Sequence, residues 1–239
     1  MAAGFRRVTQ RAASCFYFFR ASAKNGGMYS PTPDEFLKLA TQGNLIPVAR
    51  RILADLETPL SAYRKIRGQG ESFLFESVEG GEHVGRYSFV GCNPRAVIRQ
   101  DGNHVQVIEN GRITESAVVG TDVKDGLEIV ERMMKKFRAV ATPGLPRFTG
   151  GAIGFIGYEF IHDVEPVVPR PPQDELKTPV MYFLIADQLL TFDRAQQTIT
   201  ILVNAVLEDG ENPADAYENA TDEIERILSL LEQPSEHQP

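Results

Sequence analysis

Between Ser72 and Glu115 the sequence divides into five short segments rich in β-branched and aromatic residues: Ser72–Ser77, Arg86–Val90, Ala96–Gln100, Val105–Glu109 and Arg112–Glu115. Gly80-Gly81, Asp101-Gly102 and Asn110-Gly111 lie between them. Asp-Gly and Asn-Gly tolerate the positive φ of two-residue hairpin turns, so the strands flanking them run antiparallel. The spacing predicts an antiparallel meander.

Helical signals surround this region. Thr32-Pro33-Asp34-Glu35 combines a cap, a proline at the first helical position and a capping box, and predicts a helix through Phe36, Leu37 and Leu39 to Ala40, stopped by Gly43. Leu45–Glu57 has helically spaced apolar residues, yet Pro47 also permits an extended segment. Thr58-Pro59 opens a short helix over 60–66. Asp122–Phe137 reads as an amphipathic helix with Leu127, Val130, Met134 and Phe137 on one face. Glycine-rich strand segments follow over 148–160, then strands at Val180–Thr191 and Thr198–Val206. Asn212 caps a final helix from Pro213 to Leu231, whose apolar stripe is Ala216, Ala220, Ile224, Ile227, Leu228 and Leu231. The expected class is α+β, antiparallel sheet with packed helices.

Composition narrows the function. The 239 residues carry a formal charge of −7, which argues against a general affinity for nucleic acid or anionic membrane. No stretch approaches the roughly 20 apolar residues needed to cross a bilayer. Residues 1–27 hold Arg6, Arg7, Arg11, Arg20 and Lys24 and no acid, the composition of an organelle transit peptide; alternatively, translation starts at Met28. Either way this leader is expected not to pack, the body to span 28–232, and 233–239 to be a disordered tail. Two cysteines, Cys15 and Cys92, build neither a disulfide framework nor a cysteine metal site. They fit a reducing compartment: the cytoplasm, or an organelle if the leader is a transit peptide.

Few residues support chemistry. None of His83, His104, His162 and His237 completes a triad, and no serine occupies a Gly-x-Ser-x-Gly elbow. His162-Asp163 reads as a solvated loop pair instead of a metal site. Gly151, Gly154 and Gly157 recur every third residue, which is not a dinucleotide fingerprint, and they read as structural glycines in a buried strand. Glu76-Ser77 stands out because it ends the apolar run Phe73-Leu74-Phe75. A buried carboxylate costs several kcal/mol unless it is compensated. Either Glu76 faces solvent or pairs with Arg86 or Arg64, or Glu76 and Ser77 line a pocket that receives an ammonium beside an apolar wall, as for an amino acid with a large side chain.

ESFLFESVEGGEHVGRYSFVGCNP (71–94) resembles the amino-terminal region of the anthranilate synthase large subunit, component I. GNLIPVARRILADLETPLSAYRKI (43–66) and PRFTGGAIGFIGYEFIHDVEP (146–166) resemble it too, and the third is shared with the aminodeoxychorismate synthase large subunit. The likeness runs from about Met28 to Leu231.

The resemblance implies the amino-terminal part of that α+β fold, incomplete here. The full-length family enzyme converts chorismate to anthranilate with ammonia from a glutamine amidotransferase subunit. Its amino-terminal region carries part of the feedback site for L-tryptophan, and the family's Glu-Ser pair maps onto Glu76 and Ser77, with Arg86 as a further contributor. The chorismate-binding catalytic half, which holds magnesium, would follow residue 239. This segment is therefore expected to hold no cofactor, metal or catalytic residue, and to expose an apolar face. Two alternatives are a free-standing amino-acid-binding module and the equivalent part of aminodeoxychorismate synthase.

Overall fold

The computed structural model describes residues 28–76, 85–165, 167–169 and 176–234. The expectations for the basic leader, for Ser77 and for the tail beyond Pro234 lie outside these residues.

Ten strands among the described residues form two five-stranded antiparallel sheets. Sheet A has the order β1 (Leu45–Leu53), β10 (Thr198–Val206), β9 (Gln188–Asp193), β3 (Tyr87–Cys92), β2 (Ser72–Glu76). Sheet B has the order β6 (Arg112–Val118), β5 (His104–Glu109), β4 (Ala96–Asp101), β8 (Met181–Ala186), β7 (Gly151–Ile156). Helices α1 (Pro33–Leu39), α2 (Pro59–Ile66) and α5 (Pro213–Leu231) belong with sheet A, and α3 (Leu127–Met134) with sheet B; the single turn α4 (Ile161–Val164) follows β7. This is the expected α+β class.

The helix starts form as their sequences dictate. The Thr32 hydroxyl accepts from Glu35 N–H at 3.4 Å while the Glu35 carboxylate accepts from Thr32 N–H at 2.9 Å, which satisfies two otherwise orphaned donors. Thr58 and Ser61 repeat the arrangement on α2. Asn212 accepts from Ala214 N–H at 3.1 Å and opens α5. The ambiguous Leu45–Glu57 is a strand. Pro47 is tolerated because β1 is an edge, and residues 46–49 are buried consecutively because both faces of this half of the strand are covered, which blurs the two-residue alternation.

Three expectations need correction. The meander is divided between the sheets: β2 and β3 join sheet A and β4, β5 and β6 join sheet B, because Asn93, at a left-handed φ of 47°, and Pro94 turn the chain out of the first sheet. Val180–Thr191 is likewise two strands, parted at Asp187 where the chain returns to sheet A. The helix expected over 122–137 is shorter. Asp122 is held in the preceding turn, its carboxylate accepting from Val118 N–H at 2.9 Å, and Gly126 is pressed against the Gln100 side chain. Its most buried residues are Ile129, Val130 and Met133.

The core has three parts. Ile46, Val48, Val90, Leu190, Phe192 and Ile201 of sheet A pack against α1, α2 and α5. Ile98, Val105, Val107, Met181 and Ile185 of sheet B pack against α3. A small cluster of Ala49, Ile153, Ala186, Leu189 and Leu202, with Phe73, Leu145 and Phe148 against it, joins the sheets. The rest of that joining face is less covered: Phe75 is 50% exposed, and Phe155 on β7 is 48% exposed.

Candidate functional site at the open end of sheet A

Strand β2 ends, β3 begins and β9 ends at the same end of sheet A, and residues at or next to these termini bring four charges into one place. Glu76 closes β2 opposite Ser88 of β3, and its carboxylate accepts from the Arg194 guanidinium at 2.7 Å. Arg86, just before β3, donates twice to Asp193 at the end of β9, at 3.0 and 2.6 Å. Its guanidinium also lies 4.9 Å from the centre of the Tyr87 ring. Arg194 N–H donates to the Arg86 carbonyl at 3.0 Å, tying the two ion pairs together. The expected alternatives for Glu76, a bond to Arg86 or to Arg64, are both replaced by Arg194, because Asp193 already occupies Arg86.

The electrostatics follow the geometry. The paired Arg86 guanidinium holds the Asp193 carboxyl below the usual aspartate range, with help from the backbone N–H groups of Gln196 and Ala195, and outweighs the opposing effect of burial. Arg86 in turn is raised above the ordinary arginine value by that bond. The Glu76–Arg194 pair is more exposed, with side chains 36% and 44% accessible. An ion pair so wet contributes only about 0–1 kcal/mol, so another cation can take the place of Arg194 at little cost.

Two features nearby were not anticipated. Ser88 is fully buried, and its hydroxyl has no hydrogen-bond partner among the described residues. An aromatic seam also runs along the strands, with Phe73 against Phe75 at 5.3 Å and Phe89 against Phe148 at 5.4 Å between ring centres. Beside it lies a cleft of about 100 Å³ whose walls include Arg51, Arg86, Tyr87, Leu145, Pro146 and Thr191. A small-molecule site usually measures about 300–1,000 Å³. The cleft thus offers part of a wall, not an enclosure.

The remaining reactive side chains have structural partners. Burial pushes the Cys92 thiol up to about 11, which leaves it protonated and unreactive. His162 is not the solvated loop residue expected: its side chain is only 8% exposed, and its ring nitrogens meet the Val168 carbonyl at 3.1 Å and Glu159 at 2.9 Å. The neighbouring Asp163 accepts from the buried Gln100 amide at 2.6 Å. Among the described residues no three His, Cys, Asp or Glu side chains come together where they could hold a metal ion, and no helix is long and apolar enough to cross a membrane.

Comparison with known proteins points in one direction. The chain is 39% identical over 201 residues to anthranilate synthase component 1 of Acetivibrio thermocellus, a match covering 84% of this chain and 39% of that protein. It is 41% identical over 212 residues to anthranilate synthase component 1 of Synechocystis sp., covering 87% of this chain and 40% of that one. No family model matches. Among solved structures, the crystal structure of anthranilate synthase component I from Streptococcus pneumoniae TIGR4 aligns with a TM-score of 0.48 and 24% identity, covering 77% of this chain and 37% of that one. The chain spans about two-fifths of the length of the curated relatives it matches. Over that stretch the chain is a homologue of anthranilate synthase component 1.

Proposed function

We propose that this polypeptide is the amino-terminal, feedback-sensing portion of an anthranilate synthase large subunit, and that the chemistry belongs to a chorismate-binding portion outside it. The observation that carries this reading is the asymmetry of the match: 39% identity over 84% of this chain reaches only 39% of the relative. The rest of the relatives' length is where the reacting groups and the magnesium belong. Ammonia would arrive from a glutamine amidotransferase subunit held by the assembled enzyme.

In this reading the residues at the end of sheet A form half of a receptor for L-tryptophan. Its ammonium displaces Arg194 from Glu76, its polar head group meets Ser77, and Arg86, pinned by Asp193, supplies positive charge alongside. The exposed ring of Phe75 meets the indole. The shallow cleft and the half-covered aromatic seam support a second wall supplied from elsewhere. Inhibition then works by population shift: tryptophan binds the inactive arrangement more tightly than the active one, and its effect is limited to that difference in affinity.

The test is turnover. The 239-residue chain, given chorismate, ammonia and magnesium, is expected to make no anthranilate, and to support its formation only when mixed with the complementary portion of a relative. Magnesium-dependent turnover by the chain alone would sink the reading. Rescue of a folate auxotroph, and not of a tryptophan auxotroph, would move it to aminodeoxychorismate synthase.

A further inference from the structure

Among the described residues the strands change sheet at two places. The chain leaves sheet A after β3 through Asn93, Pro94 and Arg95, and it returns after β8 through Asp187 alone. These two crossings touch. The Arg95 guanidinium lies 3.1 Å from the Asp187 carboxylate, Arg95 N–H donates to the Ile185 carbonyl at 2.9 Å, and Asn204 N–H donates to the Asp187 carbonyl at 2.8 Å.

The pair is buried and incompletely satisfied. The Asp187 side chain is 14% exposed, and its second oxygen, Oδ1, has no hydrogen-bond partner among the described residues; Arg95 Nε has none either. A bidentate pair would offset the cost of desolvating the carboxylate, whereas a single contact does so only in part. The other ionisable groups acting here are Cys92, at the end of β3, and Glu223 and Arg226, which project from α5 and pair with each other at 2.7 Å. Glu223 opposes the charge on Asp187 and Arg95 favours it.

We propose that the Arg95–Asp187 pair is a proton-sensitive clasp between the two crossings: its single contact offsets the burial of the carboxylate only in part, so a proton on Asp187 secures the junction and loss of that proton loosens it. Burial is the main cause that raises the Asp187 carboxyl, from 3.8 to about 6, so the proton arrives close to physiological pH. Below the unfolded value both states carry the proton and nothing changes. Between the two values only the folded state holds it, so stability falls as pH rises. Above the folded value the whole cost of charging the buried group is present. The proton therefore favours the folded chain and, because an opening that admits water returns Asp187 towards its ordinary range, it favours the closed junction too.

Three measurements on the full chain test this. The Asp187 carboxyl carbon, followed by NMR, should titrate near 6, and the ratio of wild-type to Asp187→Asn folding constants should fall about a hundredfold between pH 4 and pH 7.5. Arg95→Gln should move that titration upward, because the cation holding it down is gone. Hydrogen exchange at the Arg95 and Asn204 amides, corrected for intrinsic rate, should be more protected at pH 5 than at pH 7.5, and Asp187→Asn should abolish the difference. Titration near 4, a midpoint indifferent to Arg95→Gln, or protection that does not change with pH would each overturn the clasp. Should Arg95→Gln fail to fold, Arg95→Lys, which keeps the charge and loses the planar fork, is expected to raise the midpoint by less.

Discussion

Gly43→Ala is expected to cost the chain about 3 kcal/mol, the upper end of what one extra buried carbon causes by overpacking. Gly43 lies between α1 and β1, and a Cβ there would fall 2.2 Å from the Arg138 carbonyl oxygen and 2.7 Å from a Val140 methyl. That carbonyl accepts from both Asn44 N–H and Leu45 N–H, at 3.1 and 3.2 Å, and the Asn44 side chain bonds back to Lys136 and Arg138. The segment after α3 is thus pinned to the start of β1, and neither backbone can retreat without breaking these bonds. Gly68→Ala is the control: nothing lies within 4 Å of its added carbon, so the change should stay within about 0.5 kcal/mol. Urea unfolding of both variants decides the matter. A Gly43→Ala chain as stable as its parent would mean that this contact is loose.

Ser77→Ala, in the enzyme reassembled from this chain and its complement, is expected to weaken tryptophan inhibition about ten- to a hundredfold while leaving uninhibited turnover largely intact. Losing a hydrogen bond to a charged group costs roughly 1.5–3 kcal/mol, and each 1.4 kcal/mol is a factor of ten in affinity. In the proposed arrangement turnover is spared, because the receptor assigned to Ser77 is separate from the reacting centre. Glu76→Gln should act in the same direction, since it removes the charge that the proposed receptor offers to the ammonium. Unchanged inhibition in both variants would reduce Glu76 to a surface partner of Arg194.

The local signals in the sequence were sound where neighbours alone decide the outcome. Thr32, Thr58 and Asn212 start their helices, and Asp101-Gly102 and Asn110-Gly111 make their hairpins, because caps and tight turns are settled within four residues. What the sequence did not disclose depends on distant contacts. The passage from one sheet to the other at Arg95 and at Asp187 leaves no periodic trace, so a divided meander reads as a continuous one. Gly43 reads as a helix stop, yet its role is to let the Arg138 backbone approach, 95 positions along the chain. At the candidate site Glu76 was legible as a polar end to an apolar run. Its partner Arg194 was not, because 118 residues separate them. The burial of Ser88 was hidden for the same reason: its cover comes from other elements.

A calorimetric titration of L-tryptophan addresses the central claim, that the receptor is shared between this chain and a surface outside it. The chain alone is expected to give no saturable heat, and a mixture with the complementary portion of the enzyme is expected to bind one tryptophan per assembled pair. Saturable binding by the chain alone, with an affinity that the complement does not change, would contradict the account and establish a free-standing amino-acid-binding module in its place.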